Sequence, residues 1–185
     1  TALTLLYLFY MEIVFENNED RIKCKEDLEF VKHIQIVPEI SIENGFEIVT
    51  DPMNIQHHVL LWRTIAKILK KYRARCDKTC GLHIHIDKTE NAMKSIPNIF
   101  YKKNKNKLEL IAKRSENKFC MYPECKQDIC VYKGKNSAVN LRYNSIELRI
   151  FRCSVVFNNI IKFLKFANDI MVLDTDKVLT KYGFN

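Results

Sequence analysis

Three short segments of this chain carry carboxylates, imidazoles or a guanidinium on one face of a predicted strand and apolar side chains on the other. The segments are residues 46–49, 82–86 and 146–150. Side chains alternate across a strand with a period of two residues, so each polar set shares a face. The polar sets are Glu47, His83 with His85, and Glu147 with Arg149. A sheet that collects these residue types on one face is predicted to bind a metal ion and an anion.

A metal site on this sheet would draw its ligands from four strands. The candidate ligands are Glu12, Glu47, His83 and Glu147. Carboxylate oxygens are hard ligands that suit Mg²⁺ or Mn²⁺, and one imidazole among them is compatible with either ion. Arg149 lies two residues from Glu147, where its fork of donors could bind a phosphoryl oxygen. Each residue alone also fits a solvent-facing position or a structural ion pair.

Two long strand patterns predict how the first and last of these side chains are positioned. A strand over residues 3–16 places four apolar residues on one face and Glu12 on the other. A strand region over residues 138–152 carries Glu147 near the end of the chain. Both patterns predict that the carboxylates lie on the polar side of a half-buried sheet.

A hairpin is predicted over residues 39–50, around Asn44 and Gly45. The hydrophobic register favours a three-residue loop with Gly45 in the left-handed conformation. This register pairs Ile42 with Phe46 and Ile40 with Ile48. It leaves Glu47 on the polar side of the sheet.

Helical periodicity and breaker residues predict three helical regions and one irregular excursion. The helical regions cover residues 50–75, residues 89–116 in two pieces interrupted at Pro97 and the Lys/Asn run, and residues 154–172. A Cys-containing excursion covers about residues 118–136. His57 and His58 are predicted to face solvent near the start of the first helix. Strands and helices that mix without strict alternation predict an α+β fold with a curved, mainly antiparallel sheet and helices packed on one face.

Charge and composition narrow the function classes. The 185 residues include 30 Lys and Arg against 22 Asp and Glu, a net charge of +8, which suits nucleic acid, phosphates or an acidic substrate. Only four glycines occur, and neither a glycine-rich phosphate loop nor a Gly-x-Ser-x-Gly elbow is present. Residues 1–11 are apolar but too short to span a bilayer, and they lack a basic leader. A cytoplasmic location is the default expectation.

Seven cysteines, an odd number, argue against a complete disulfide framework. Five of them are candidate zinc ligands: Cys76, Cys80, Cys120, Cys125 and Cys130. Structural zinc sites usually contain pairs two to four residues apart, and the spacing of five does not match this pattern. Free thiols in a reducing compartment are therefore predicted ahead of zinc.

Four segments in order carry a resemblance to a known family. Residues 45–52, 80–85, 137–141 and 146–152 read GFEIVTDP, CGLHIH, SAVNL and IELRIFR. Together they resemble the amidoligase family of phages and bacteria, which belongs to the carboxylate–amine ligase superfamily with glutamine synthetase and glutamate–cysteine ligase. The resemblance runs from about Glu12 to Phe166. It implies a glutamine-synthetase-like catalytic fold in a single domain over residues 1–185.

The resemblance also implies roles for individual residues. It implies metal ligation by Glu12, Glu47, His83 and Glu147. It implies that His85 and Arg149 contact ATP phosphate and that Arg114 contacts substrate, with Arg149, Glu147 and Arg114 as the catalytic set. The implied cofactors are ATP and Mg²⁺ or Mn²⁺. The implied partners are a carboxylate and an amine, with peptides and proteins among the candidates and no membrane.

The implied reaction has two steps, in which ATP phosphorylates a carboxylate and an amine then displaces phosphate to leave an amide. Val14 stands where the family carries a second glutamate, and Glu16 is the nearest carboxylate that could substitute. A catalytically weakened relative that acts as a binding module is therefore one alternative. A nucleic-acid-associated metal hydrolase is the other. It ranks last because the basic residues are not interleaved with aromatic ones.

Overall fold

A six-stranded sheet carries most of the candidate residues in this computed structural model, which describes residues 8–40, 42–118, 120–124 and 136–184. The strands are β1 (Leu8–Val14), β2 (Ile34–Val37), β3 (Gly45–Thr50), β4 (Gly81–Asp87), β5 (Val139–Leu141) and β6 (Ser145–Arg152). The sheet is open, with the order β2–β3–β1–β4–β6–β5. The ladders β1–β3, β2–β3 and β5–β6 are antiparallel.

Helices connect and cover the strands. They are α1 (Asn18–Glu29), α2 (Ile55–Lys71), α3 (Glu90–Ile99), α4 (Lys105–Ala112), α5 (Phe157–Val172) and α6 (Thr175–Tyr182), with a 3₁₀ turn at Lys102–Asn104. This combination confirms the predicted α+β class. No helix in the described ranges is long and apolar enough to cross a bilayer.

The chain divides into two compact units, and the boundary falls inside β4. Unit 1 comprises the described residues up to His83 together with Arg152–Lys162. Unit 2 comprises the described parts of Ile84–Phe151 and the chain from Phe163 onward. The organisation as a single domain stays a prediction.

The core of unit 1 forms where β1 meets α2. Phe9, Met11 and Ile13 are fully buried, as the alternation along β1 predicts. The Phe9 ring lies 5.4 Å from the Trp62 ring and 5.0 Å from the His58 ring, measured between centroids. His58 is therefore buried, and its predicted solvent exposure is wrong.

Helix α2 begins at Ile55, later than the predicted start near residue 50. The side chain of Asn54 accepts a hydrogen bond from the His57 backbone and caps the helix, because the first N–H groups of a helix have no partner within it. The Asp51 N–H instead donates to the His33 carbonyl. Residues 51–53 thus form a connection between β3 and the helix.

The hairpin predicted over residues 39–50 is wrong in its partner strand. Strand β3 pairs with β2, and Glu47 is in register with Val37. Ile40, which was expected to pair with Ile48, is fully exposed. Asn44, with φ of 53°, takes the left-handed conformation predicted for Gly45.

Close packing against β1 explains the glycine at position 45. A Cβ atom there would lie 2.2 Å from the Ile13 carbonyl oxygen and 2.4 Å from a methyl group of Ile42, so no larger residue fits without movement of the backbone. The register keeps Phe46 and Ile48 buried and leaves Glu47 partly exposed. The predicted face of Glu47 is therefore correct although its partner strand is not.

The core of unit 2 packs β6 with α5. Ile146, Leu148 and Ile150 are fully buried. The Phe151 and Phe163 rings stack with centroids 4.9 Å apart. This packing fixes the strand that carries Glu147 and Arg149.

The remaining predictions for the second half of the chain are met in part. Helix α3 contains Pro97 and does not end at it. Helix α5 begins at Phe157, after Ser154 accepts a hydrogen bond from the Val156 N–H. Helix α6 was not predicted. Most of the predicted excursion, at 119 and 125–135, lies outside the described residues.

Candidate functional site

Two carboxylates lie directly opposite each other in unit 1. Glu12 of β1 and Glu47 of β3 are register partners in the antiparallel ladder. Side chains at such positions have Cβ atoms about 4.5–5.5 Å apart, and like charges there are destabilising. Both residues are partly exposed on the face opposite the buried Met11 and Ile48. A cation between the two carboxylates would relieve their repulsion.

Glu12 contacts two other segments, one through its side chain and one through its backbone. The side-chain Oε2 of Glu12 accepts a 2.5 Å hydrogen bond from the Gly81 N–H at the start of β4. Cys76 and Cys153 form a disulfide, and the Cys153 sulfur lies 2.9 Å from the Glu12 carbonyl oxygen. These contacts restrict the position and rotamer of the Glu12 carboxylate. His83, two residues beyond Gly81, is partly buried on the polar face of β4.

The donor set fits a magnesium ion only in part. Among the described residues, no group of three or more His, Cys, Asp or Glu side chains is placed to hold a metal. Mg²⁺ commonly binds through one or two carboxylates, with water and substrate phosphate completing its shell. Glu12 and Glu47 fit that mode. The predicted convergence of four protein ligands stays a prediction.

Val14 and Glu16 do not extend this carboxylate pair. Val14 is the last residue of β1, and its N–H and carbonyl pair with the backbone of Arg75. Glu16 lies beyond the strand and makes a 2.7 Å ion pair with the exposed Arg75 side chain. Glu16 is thus engaged on the surface and is not on β1.

Unit 2 contains a carboxylate that is buried, unlike the partly exposed Glu12 and Glu47. Glu147 is 3% exposed. Its Oε1 accepts from Arg149 Nη1 at 2.9 Å, and its Oε2 accepts from Arg142 Nη2 at 2.6 Å and from Asn140 Nδ2 at 3.1 Å. Both oxygens are satisfied by this chain's own donors. Glu147 is thus bound by two arginines and an asparagine, and its predicted role as a metal ligand stays a prediction.

His85 borders this ion-pair cluster. Its Nδ1 lies 3.1 Å from Ser145 Oγ and its Nε2 lies 3.9 Å from Glu147 Oε1. Burial lowers the pKa of His85 below its ordinary value; Glu147 opposes this shift, while Arg142 and Arg149 add to it. The imidazole is therefore neutral at pH 7. A neutral ring beside the arginines can accept or donate a hydrogen bond without adding charge.

Two buried polar atoms of the cluster have no hydrogen-bond partner among the described residues. They are Arg149 Nε and Asn140 Oδ1. Buried polar groups are nearly always satisfied, so such atoms commonly mark a place that water or a ligand completes. One donor and one acceptor beside a buried guanidinium suit a polar, anionic group.

A comparison with family models identifies the family. Residues 14–130 match the model described as "Putative amidoligase enzyme". The chain belongs to the amidoligase family. The match includes Glu47, His83, His85 and Arg114 of this amidoligase. It ends before β5 and does not cover the segment with Glu147 and Arg149.

The fold of this amidoligase is similar to that of a solved ligase. Plasmodium falciparum glutamine synthetase aligns with a TM-score of 0.55 at 10% identity, covering 91% of this chain and 51% of that chain. The chain thus spans about half the length of that enzyme, and at this identity the likeness shows the fold alone. No curated protein matches the sequence. Family and fold together support a ligase-type function, and they confirm the family and the glutamine-synthetase-like architecture expected from the motifs.

Arg114 supports the backbone of β6. Its Nη1 donates to the carbonyls of Arg149 and Phe151 at 3.2 and 3.3 Å. The side chain also lines a small open pocket with Glu109 and Lys113. Arg114 therefore acts on the position of Arg149, and its predicted contact with substrate stays a prediction.

Sequence reasoning missed two residues of the Glu147 cluster. Asn140 is the register partner of Glu147 across the β5–β6 ladder, and Arg142 ends the hairpin by donating its N–H to the Ser145 carbonyl. The signal was the short polar turn at residues 143–144 between two strand patterns. A hairpin register drawn through that turn would have placed Asn140 opposite Glu147.

The cysteines differ from the predicted set of free thiols. Cys76 and Cys153 are bonded, so the prediction is wrong for both, and Cys76 offers no thiolate to zinc. Cys24, Cys80 and Cys120 are free and buried. Burial raises the pKa of Cys80 and that of Cys120 to about 11, which makes both thiols unreactive near neutral pH. Cys125 and Cys130 lie outside the described residues.

Proposed function

We propose that this amidoligase is an ATP- and divalent-metal-dependent ligase that joins a carboxylate to an amine through an acyl phosphate. The carboxylate oxygen attacks the terminal phosphorus of ATP and ADP leaves. The amine nitrogen then attacks the acyl carbon, and phosphate leaves as the amide forms. Such chemistry depends on positioning and charge neutralisation more than on a protein nucleophile. The absence of a nucleophile elbow from the sequence is consistent with this.

The observation that carries the proposal is the largely buried Arg149, which is bound by Glu147 and whose buried Nε has no hydrogen-bond partner among the described residues. A carboxylate that binds one edge of a guanidinium orients its remaining donors. Bonds from arginine to phosphate are charge-assisted and strong. Arg149 would thus contact a phosphate of ATP, with neutral His85 beside it. Arg142 shares the charge of Glu147, so the cluster as a whole stays cationic.

Glu12 and Glu47 would hold the metal ion, whose charge, when bound, neutralises phosphate oxygens. Their opposed positions on β1 and β3 supply two hard oxygen ligands from a rigid ladder. The Gly81 N–H keeps one Glu12 oxygen in place. The proposed setting is the cytoplasm, where disulfides are rare, so the Cys76–Cys153 bond is the observation that argues against this setting. The carboxylate and amine substrates are proposed as a class that includes peptide and protein acceptors.

Calorimetric titration of ATP into the protein, with and without MgCl₂, tests the proposal without knowledge of the acceptor. Arg149→Ala removes the proposed phosphate contact, and Glu47→Gln removes one proposed metal ligand at nearly constant shape. Each is expected to weaken magnesium-dependent ATP binding about tenfold or more. Glu26→Gln, at an exposed position of α1, is the matched control and should bind as wild type does. Absence of ATP binding by the wild-type protein would refute the ligase proposal.

A second candidate, a weakened relative that binds nucleotide without turnover, is favoured by Val14. The family carries a second glutamate there, and this chain has an apolar side chain at the end of β1. Under this candidate Val14→Glu should raise ADP release from a level near zero while leaving ATP affinity similar. Measurable ADP release by the wild type with a suitable carboxylate and amine would exclude the weakened form.

A further inference from the structure

An open cleft of about 680 Å³ in unit 1 combines a basic rim with an apolar lining. Two segments form it, the C-terminal half of α2 with the residues after it, and the connection into α5. The basic residues are Arg63, Lys67, Lys70, Arg73 and Arg75. The apolar residues are Ala66, Ala74, Val155, Val156 and Phe157. None of these residues belongs to the proposed ligase site.

The basic side chains repel one another. Arg63, Lys67 and Lys70 follow spacings of four and three residues, so they share one face of α2. Like charges at these spacings destabilise a helix by about 0.2–0.5 kcal/mol per pair. Among the described residues, Lys67, Lys70 and Arg73 have no ion-pair partner, whereas Arg75 pairs with Glu16. An anionic ligand would offset this repulsion.

The apolar lining of the cleft favours a ligand with apolar groups over a simple anion. Val156 is 54% exposed, and Phe157 is partly exposed beside it. Covering such side chains contributes about 25 cal/mol for each Å² removed from water. A ligand that matches both features carries negative charges and at least one apolar group.

Both walls of the cleft are fixed by the surrounding structure. The Arg75 backbone pairs with Val14 of β1 through two hydrogen bonds of 2.9 Å. Ser154 Oγ accepts from the Val156 N–H and from Asn159 Nδ2, which shapes the entry into α5. The Cys76–Cys153 disulfide joins the two wall segments next to these contacts. A preformed cleft loses little conformational freedom when a ligand binds.

We propose that this cleft binds an acidic peptide segment that carries at least one apolar side chain. The carboxylates of the peptide pair with Lys67, Lys70 and Arg73, and its apolar side chain covers Val156. Single-stranded nucleic acid fits less well, because it relies on aromatic faces for stacking. The Arg63 guanidinium lies over the Phe157 ring, 5.7 Å from its centroid. This binding site goes beyond the ligase proposal and does not depend on it.

Fluorescence anisotropy with labelled synthetic peptides tests the proposal. The probe is a short peptide of Glu and Leu residues, compared with one in which Gln replaces every Glu and one in which Ser replaces every Leu. Only the Glu/Leu peptide is expected to bind well. The double variant Lys67→Glu/Lys70→Glu should weaken its binding about tenfold or more, since two favourable charge contacts become repulsive. Val156→Ser should weaken the Glu/Leu peptide and leave the weak binding of the Glu/Ser peptide unchanged.

The matched control is Lys32→Glu/Lys103→Glu, which changes the net charge equally at exposed positions away from the cleft. Equal loss in both double variants would show a general charge effect and overturn the cleft as the site. Stronger competition by single-stranded DNA, or by vesicles of phosphatidylcholine and phosphatidylserine, would also overturn the peptide assignment. Circular dichroism of each variant separates loss of binding from loss of fold.

Discussion

The two units each contain a candidate carboxylate centre, and these centres differ in how their charge is balanced. In unit 1, Glu12 and Glu47 are opposed like charges on partly exposed strand positions. In unit 2, Glu147 is buried and bound by two arginines and an asparagine. The first arrangement places two carboxylates opposite each other, the geometry that the proposed metal site requires. The second pairs one carboxylate with cationic donors.

This difference shows that residue type alone does not assign a role within a predicted metal site. Glu47 and Glu147 occupy equivalent positions in strand patterns, and sequence reasoning gave both the same function. The two carboxylates differ in burial and in their hydrogen-bond donors, which come to Glu147 from Asn140, Arg142 and Arg149.

The two centres also differ in the contacts that hold them in place. Removal of the disulfide in unit 1 should have the largest effect on the free energy of unfolding. Cys76 and Cys153 are separated by 77 residues, and closing a loop of this size is worth about 4 kcal/mol in the chain-entropy account. The double variant Cys76→Ala/Cys153→Ala should lose about that much free energy of unfolding in urea. Wild-type protein measured with reductant should match the variant.

Alkylation of the native protein without reductant, followed by peptide mapping, provides the check on that link. Cys76 and Cys153 should stay unlabelled until a reductant is added. The control variant Cys120→Ala removes a buried free thiol and keeps the bonded pair, so reductant should lower its free energy of unfolding by as much as it lowers that of the wild type. Labelling of both residues in unreduced, unfolded protein would contradict the disulfide.

Loss of the buried Glu147 carboxylate in unit 2 should cause the next largest fall in the free energy of unfolding. Glu147→Ala leaves Arg149 in a largely buried position without its charge partner, and breaking such a pair costs about 3 kcal/mol. Equilibrium unfolding in urea measures the change. Glu26→Ala on the surface of α1 is the control and should change stability by less than about 0.5 kcal/mol. A cost for Glu147→Ala as small as the control's would show that the cluster does not position Arg149.

Removal of one charge from the Glu12–Glu47 pair in unit 1 should have the smallest effect on the free energy of unfolding, and it should raise this free energy instead of lowering it. Without magnesium, Glu47→Gln relieves the repulsion from Glu12 and should raise the free energy of unfolding by about 0.5 kcal/mol. With magnesium, the wild type should gain stability and the variant should gain less, because ligand binding stabilises the folded state. Equal responses of both proteins to magnesium would exclude this pair as a cation site.

Much of the framework was predictable because strand alternation is a local property. The faces of Glu12, Glu47, His83 and Glu147 follow from their apolar neighbours, and the order of the motifs identified the family. Strand pairing was harder to predict from the sequence. Ile40 and Ile42 alternate as residues of a strand do, but the segment that pairs with β3 on this side is the short β2, which a connection separates from β3. The alternation of apolar residues in one strand does not identify the strand with which it pairs.

The rest of the site depended on contacts between residues distant in sequence. The Cys76–Cys153 link joins residues that no local pattern relates. Asn140 and Arg142 acquire their roles only through the β5–β6 register. His58, adjacent to exposed His57, was predicted to face solvent from its place near the helix start. Its burial depends on contact with Phe9 of β1, a residue distant in sequence.

The disulfide also makes a covalent ring of the chain between Cys76 and Cys153, and the segment Ile84–Phe151 lies within that ring. A single peptide-bond cleavage anywhere inside it, including in the Cys-containing excursion, opens the ring without separating the fragments. The nicked chain would migrate as one species in a non-reducing gel and as two after reduction. Arg149 and Glu147 would thus stay tethered to the β1 segment after such a cut.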